Sequence, residues 1–413
     1  MSRSEVLRLF PGLETRGLTG AAIFADGQMY NPPRLVLAAV KSAESRGAVV
    51  ANHVEAVGLI REGSRVTGVE VRDNIDGGTF AISGSVVLNA AGPYGEGLIR
   101  RTLGLRLQPP GNYSRDACFV VRGHLLHPSL TIAVQGQTGD PDAIVSRGNR
   151  HLFVAPWRQY SLVGTWHKVC SPEEELSVSE QELNRFVAEV NAGYPDLNLS
   201  VDDISMYNCG FVPFGENREG AKDLRYGHRS RLVDHSRDGL ENLISLVGVR
   251  FTTGRREAER AVALAFHKLG KRPPPGKTSS TPMWGGDIEN WSTFKASLES
   301  ESTVRLHEDV WSALAHNYGT EAGQVLETIA ADPALAHRIG DTDCIRAQVL
   351  YAVREEMATS LSDVVFRRTD LATGGHPGPE ALEACAEMVS EELELDGAEQ
   401  SRQMAEVERR FGP

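Results

Sequence analysis

The chain has 413 residues, is 41% hydrophobic and 24% charged, and carries a formal net charge of −12. Those values fit an ordinary globular protein of two or three domains and exclude disordered and fibrous classes. The acidic balance argues against a general nucleic-acid binder, which needs a basic face to displace counterions from phosphates.

Five cysteines, Cys118, Cys170, Cys209, Cys344 and Cys385, are far apart and match no metal-ligand spacing, so no metal is expected. Reduced thiols in a cytoplasmic protein are the simplest reading. The opening Met1 to Arg8 is broken by charges and offers no signal-peptide core. No apolar run approaches the roughly 20 residues that cross a bilayer, so contact with the inner face of a membrane would be peripheral.

In chain order, Pro33 to Arg46 reads as an amphipathic helix, with Leu35, Val36, Ala39, Val40 and Ala43 at helical spacing. Short β-rich runs follow at Val49–Val54, Ala56–Arg61, Val66–Arg72 and Thr79–Ser83, separated by hairpin-turn residues. Ser85 to Tyr94 is an apolar run ending in small residues, which reads as a strand buried on both faces whose carboxyl end is a ligand position. Candidate strands at Cys118–Val121, Thr131–Gln135, His151–Ala155 and Ser161–Thr165, with a helix at Ser177–Ala192, predict an antiparallel layer inserted into a nucleotide-type α/β domain. Residues 271–301, rich in Pro, Gly, Ser and Thr at first, read as a linker. Residues 302–413 are nearly all helical by pattern and predict an all-α C-terminal domain.

The sharpest local signal is Gly248-Val249-Arg250-Phe251-Thr252-Thr253-Gly254-Arg255, between a strand-like run, Leu243–Val247, and a helix-like one, Glu257–Leu269. Glycine lets a ligand approach the backbone, the threonines offer hydroxyls, and the arginines face an anion at a helix N-terminus.

This segment resembles the Gly-Gly-Lys-x-Thr-Thr-Tyr-Arg signature of FAD-dependent glycerol-3-phosphate dehydrogenases. Further landmarks resemble that family in its own order: Asp26-Gly27-Gln28 with Pro33-Arg34-Leu35-Val36, then Asn89-Ala90-Ala91-Gly92-Pro93-Tyr94. Phe153-Val154-Ala155-Pro156-Trp157-Arg158 with Gly164-Thr165 and Ala347 to Ala358 with Asp363 and Arg367-Arg368-Thr369 continue the series. The resemblance implies a mixed α/β (α+β) fold. Residues 1–270 would hold an incomplete FAD-binding Rossmann-like domain, with FAD-type parts at about 33–105 and 236–270 and a substrate sheet at about 106–235.

The family's Gly-x-Gly-x-x-Gly, whose amides hold the FAD pyrophosphate, occurs nowhere in this sequence. Three explanations compete: a separately encoded N-terminal FAD-binding subunit, a truncated gene, or a degenerate relative that has repurposed the fold. An incomplete parallel sheet would expose apolar edges that need covering.

The resemblance implies FAD as cofactor and hydride transfer from the carbinol carbon of glycerol 3-phosphate or a related hydroxy compound, with a quinone as acceptor. Catalytic roles would fall to Arg250, Thr252 and Thr253; substrate binding to Arg231, Arg250 and His167; and flavin contact to Asn89, Ala91, Gly92, Pro93, Gly248 and Thr252. Lys222, Arg225, His228 and Arg229 crowd the loop before Arg231, whose bland reading is a basic turn. Cys118 stands where many relatives carry a histidine, and Val212 where they carry an arginine. Arg354, Glu355, Glu356 and Asp363 read as an exposed helix-face ion-pair set. The rival reading is a non-catalytic binding or scaffolding subunit.

Overall fold

The computed structural model describes residues 1–104, 113–139, 149–171, 173–213, 230–248 and 250–411. Two small layers precede the main sheet. Helices α1 (Arg3–Leu9) and α2 (Pro32–Glu44) are followed by the antiparallel strands β1 (Val54–Glu62), β2 (Arg65–Asp73) and β3 (Thr79–Ser83). The expected helix is present as α2, started by the Asn31 side chain, which accepts from the Arg34 amide at 3.1 Å, and by proline in its first turn.

Strand β4 (Val87–Asn89) leads through a 3₁₀ turn into α3 (Gly95–Leu103). Further strands are β5 (Tyr113–Arg122), β6 (Ile132–Gly139), β7 (Asn149–Trp157), β8 (Tyr160–Cys170), then α4 (Glu180–Gly193), β9 (Ile204–Pro213), β10 (Arg231–Asp234), β11 (Leu243–Val247) and α5 (Phe251–Lys268). Two sheets are built from these. One has the order β10-β11-β4, with β11 and β4 parallel; the other has the order β6-β7-β8-β5-β9 and is antiparallel throughout.

Alternation along β5 decides which side of the large sheet is dry. Ala117, Phe119 and Val121 turn toward α4, where Phe119 and Trp166 meet Phe186 with ring centroids 4.7 and 5.4 Å apart. Ser114, Asp116, Cys118 and Val120 therefore occupy the opposite face. The α4 end is fixed from both sides. Ser179 and Glu182 form a capping box, and Arg115 grips both Glu182 oxygens at 3.1 and 2.8 Å.

The C-terminal part packs α6 (Trp291–Ser300), α7 (Glu308–Tyr318), α8 (Ala322–Ala331), α9 (Arg346–Glu355), a short α10 (Leu361–Asp363), α11 (Pro379–Glu392) and α12 (Gly397–Arg409) around two apolar clusters. A π-helical turn, Val364–Arg368, follows α10. No helix among the described residues is long and apolar enough to cross a membrane.

Four expectations need correction. Residues 49–53 form no strand, and Val49 is 100% exposed, because its apolar side chain meets no facing layer. The run Ser85–Tyr94 is not buried on both faces: only three residues are extended, β11 is the one strand paired with β4 among the described residues, and Leu88 is 40% exposed because its face is not covered. Part of the 271–301 segment is docked: the Trp284 amide donates to Ser42 Oγ at 2.7 Å and Lys41 lies over the Trp284 ring. Glu356 and Asp363 are not an exposed helix-face set. Glu356 binds Arg34 at 2.6 Å with both side chains buried, and the largely buried Asp363 binds His53 at 2.7 Å.

The Arg34 contact is one of two buried arginine–carboxylate pairs among the ties between the parts. Its guanidinium also donates to the carbonyls of Asn317 at 3.1 Å and Arg368 at 3.2 Å and lies 4.2 Å from the centre of the Tyr318 ring. Burial works against that charge, and Glu356 more than restores it, leaving the guanidinium pKa raised. In the second, Arg158, at the β7–β8 turn, pairs with Asp370 and donates to the Tyr30 hydroxyl at 2.9 Å. Asn31 and Asn317 also donate to Asp370.

Two outcomes follow. Arg34→Ala, which leaves Glu356 buried and unpaired, should cost about 3–5 kcal/mol in chemical denaturation. Hydrogen bonds from Arg115, opposed by partial burial, hold Glu182 down from its ordinary 4.5 to about 2. A depressed carboxylate stabilises the fold above its unfolded pKa and stops doing so as pH falls through the folded value. Glu182→Gln should therefore lower stability at neutral pH and flatten its loss between roughly pH 4.5 and 2, read by denaturation at several pH values.

Candidate functional site

Strands β4 and β11 run parallel with Asn89 beside Ser245, so their carboxyl ends open on the same side. That brings the turn after β4 next to the loop after β11, the position where open α/β sheets take their ligands. Asn89 is buried and holds its turn from inside. Its amide donates to the Gly95 carbonyl at 2.9 Å and its oxygen accepts from the Ala91 amide at 3.2 Å. Ala91 is left exposed, with Gly92 and Pro93 half-buried beside it and Gly92 at φ +56°. On the β11 side, buried His235 fixes the strand, with one ring nitrogen 2.8 Å from Ser245 Oγ and the other 2.8 Å from Asp238.

Gly248 ends that strand exposed, and Arg250 stands in the N-cap position of α5 with no side-chain cap bond. Thr252 and Thr253 lie exposed in the first turn, where the Thr253 hydroxyl donates to the Arg250 carbonyl at 3.1 Å. Arg231 begins β10 directly opposite Val247, one residue before Gly248. Thus Asn89, Ala91, Gly92, Pro93, Gly248, Arg250, Thr252, Thr253 and Arg231 gather at one end of the three-stranded sheet. Arg255 lies further along α5 in an exposed pair with Glu259. Val249 and the basic residues Lys222, Arg225, His228 and Arg229 lie outside the described residues.

His167 is elsewhere. It sits on β8 of the large sheet, opposite Asp116 of β5, on the face turned away from α4. The two sheets meet at Tyr94 and Phe211, whose rings are edge-on at 6.2 Å. Cys118 shares the His167 face, and burial pushes its thiol up to about 11, so it stays protonated. Val212 pairs with Ser114 at the same end of the sheet and brings no charge there.

Whether a flat aromatic cofactor fits can be judged at the glycines. A Cβ added at Gly92, Gly210, Gly248 or Gly254 would meet nothing within 4 Å, so the backbone at all four borders open space. Exposed strand-end backbone, hydroxyls and the free N-terminus of an 18-residue helix suit the ring and polar edge of a flavin. Residues able to cradle its pyrophosphate are not among those gathered here.

The buried Arg158–Asp370 tie was not legible in the sequence, because its pairing spans 212 residues.

Residues 1–250 match the family profile described as FAD dependent oxidoreductase, and residues 276–400 match the C-terminal domain of alpha-glycerophosphate oxidase. The chain belongs to the FAD dependent oxidoreductase family. A glycerol-3-phosphate dehydrogenase from Synechocystis sp. is 29% identical over 383 residues, covering 90% of this chain and 67% of that protein. The human mitochondrial glycerol-3-phosphate dehydrogenase is 27% identical, covering 100% of this chain and 56% of its own length. This member therefore spans little more than half of the mitochondrial relative that it matches. The solved structure of the Bacillus halodurans glycerol-3-phosphate dehydrogenase complexed with FAD superposes with a TM-score of 0.80 at 22% identity, over 100% of this chain and 78% of that one. At that identity the likeness establishes the fold, a mixed α/β molecule with a helical C-terminal part.

Asn89→Ala removes both bonds that hold the turn and leaves the buried Gly95 carbonyl without its donor. It should cost about 1–3 kcal/mol in chemical denaturation.

Proposed function

We propose that this family member forms the substrate-binding and C-terminal portions of an FAD-dependent oxidoreductase of the glycerol-3-phosphate dehydrogenase type. It would oxidise a secondary alcohol, glycerol 3-phosphate or a related hydroxy compound. The reading rests on one observation above all: the Asn89–Pro93 turn and the Gly248–Thr253 loop lie side by side at the carboxyl ends of parallel strands, bordering open space.

When bound, FAD supplies the hydride acceptor for the carbinol carbon. Asn89, Ala91, Gly92, Pro93, Gly248 and Thr252 would hold its ring, through a backbone that Asn89 keeps rigid. Arg250 and Arg231 would bind the anionic end of the substrate, for which a guanidinium offers a two-pronged contact. The α5 amides add a partial positive charge in the same place. Thr252 and Thr253 would hold the alcohol by their hydroxyls.

The domain division follows the same logic, with FAD-type parts at about 33–105 and 236–270, the substrate sheet between them, and the helical domain from about 302. A dinucleotide-binding portion, carried upstream or by another subunit, would lie against the edge of β4 that has no partner among the described residues. Support comes from the exposure of Leu88 on that strand, at 40%.

The test is flavin content and glycerol 3-phosphate-dependent dye reduction by the protein purified with whatever completes it. Arg250→Ala should lower kcat/KM by an amount equivalent to about 2–4 kcal/mol. A colourless protein with no polyol-dependent reduction would leave the binding-subunit reading in its place, and an unchanged kcat/KM would put Arg250 outside the site.

A further inference from the structure

Residues 49–52 have the composition of a strand and nothing to pair with. The backbone N–H and C=O groups of Val49, Val50, Ala51 and Asn52 make no backbone hydrogen bond among the described residues, a state that lasts only where water or a partner takes them. The run is nevertheless held at both ends. Ahead of it Gly47, at φ +91°, closes α2, and the Ala48 amide donates to the Ala43 carbonyl at 3.1 Å. Behind it the Asn52 side chain donates to the Met357 carbonyl at 2.6 Å, and His53 pairs with Asp363 at 2.7 Å. Val49 and Ala51 are exposed while Val50 and Asn52 are half-buried, which is the two-residue period of an extended chain. An anchored, extended run with open donors and acceptors is the template on which a further strand adds.

Beside it lies a groove of about 410 Å³ between α2 and the helical domain, with Val36, Val40, Val50 and Met357 in its walls and Lys41, Arg367 and Arg368 as its cations. Val36 and Met357 are 47% and 41% exposed. Two of the cations have a carboxylate: Lys41 pairs with Glu44 at 3.5 Å and Arg367 with Asp363 at 3.4 Å. Arg368 has none among the described residues, and its side chain donates only from Nε, to the Glu356 carbonyl at 2.8 Å. Burial lowers the pKa of this guanidinium, and Arg34 and Arg367 push the same way against Asp363 and Glu356. A cation short of both solvent and counter-ion is a place for an anion.

Resting on the function proposed above, we propose that the FAD-binding portion adds a strand to residues 49–52 and sets a carboxylate of its own against Arg368. One polypeptide meets both needs, with backbone amides and carbonyls at strand spacing for the open run and an aspartate or glutamate for the guanidinium. Apolar side chains on the added strand have Val36, Val49 and Met357 to cover. Together with the edge of β4, this contact gives that portion two points of attachment, which fix an orientation that one edge leaves free.

The experiment reads backbone hydrogen–deuterium exchange in the holoenzyme, this chain with its FAD-binding portion, and in this chain without it. Alternate amides of residues 49–52 should exchange roughly 10²-fold more slowly in the holoenzyme. Val50→Pro and Ala51→Pro remove N–H groups on opposite sides of the run, so one of them should cut that protection about tenfold. Neither takes a hydrogen bond from this chain, so exchange in α2 and β1 should stay as in wild type. Arg368→Met should weaken the protection, and Arg368→Lys, which keeps the charge, should retain most of it. A flavin-loaded, active holoenzyme in which residues 49–52 exchange freely, or in which Arg368→Met changes nothing, would overturn this inference alone. Protection that appears when this chain by itself is concentrated would make a second copy the occupant and overturn it too. A wild-type protein without flavin or polyol oxidation would fail the underlying reading as well.

Discussion

Two buried guanidinium groups hold the molecule in one arrangement. Arg34 reaches from α2 into the helical domain to meet Glu356, and Arg158 reaches from the β7–β8 turn to meet Asp370. Replacing such pairs by apolar side chains is often neutral for stability, because desolvation offsets the Coulomb gain. Their effect is directional. A guanidinium with several fixed partners accepts one geometry, whereas an apolar contact of the same area accepts many. Through Arg34 the helix α2, and through Arg158 the large sheet, are fixed to the same helical block.

Two sheets meet within that arrangement. The three-stranded sheet brings backbone, hydroxyls and arginines together at its strand ends. The five-stranded sheet carries Asp116, His167 and Cys118 on one face and Phe211 on the other, the one shared with α4. Tyr94 against Phe211 joins the two sheets on that second face. A side chain on a paired strand has little freedom to drift, so these positions are held more rigidly than loop-borne ones.

Local order was legible in the sequence where local rules decide it. Apolar residues at helical spacing announced α2, and the short apolar runs Cys118–Val121 and His151–Ala155 announced β5 and β7. The Gly248 to Thr253 loop stood out through glycine, threonine and arginine at a strand–helix junction. The family resemblance, carried by ordered motifs, supplied the overall fold. Failures came where distant partners decide. Ser85–Tyr94 has the composition of a doubly buried strand, yet β4 has a single neighbour among the described residues. Glu356 and Asp363 look like surface charges until Arg34 and His53 arrive from more than 300 positions away. Strand β9 hid behind Asn208 and Gly210, which break its apolar run.

Arg158 has a further consequence for how the chain reaches this state. It sits at φ +58°, a conformation that a side chain with a Cβ avoids. A two-residue hairpin loop favours that conformation at its first position, so the hairpin itself presents the guanidinium that Asp370 and Tyr30 receive. The helical domain therefore docks on a turn whose backbone is already set, and a nascent chain can complete the β7–β8 hairpin, turn included, before residue 370 is synthesised.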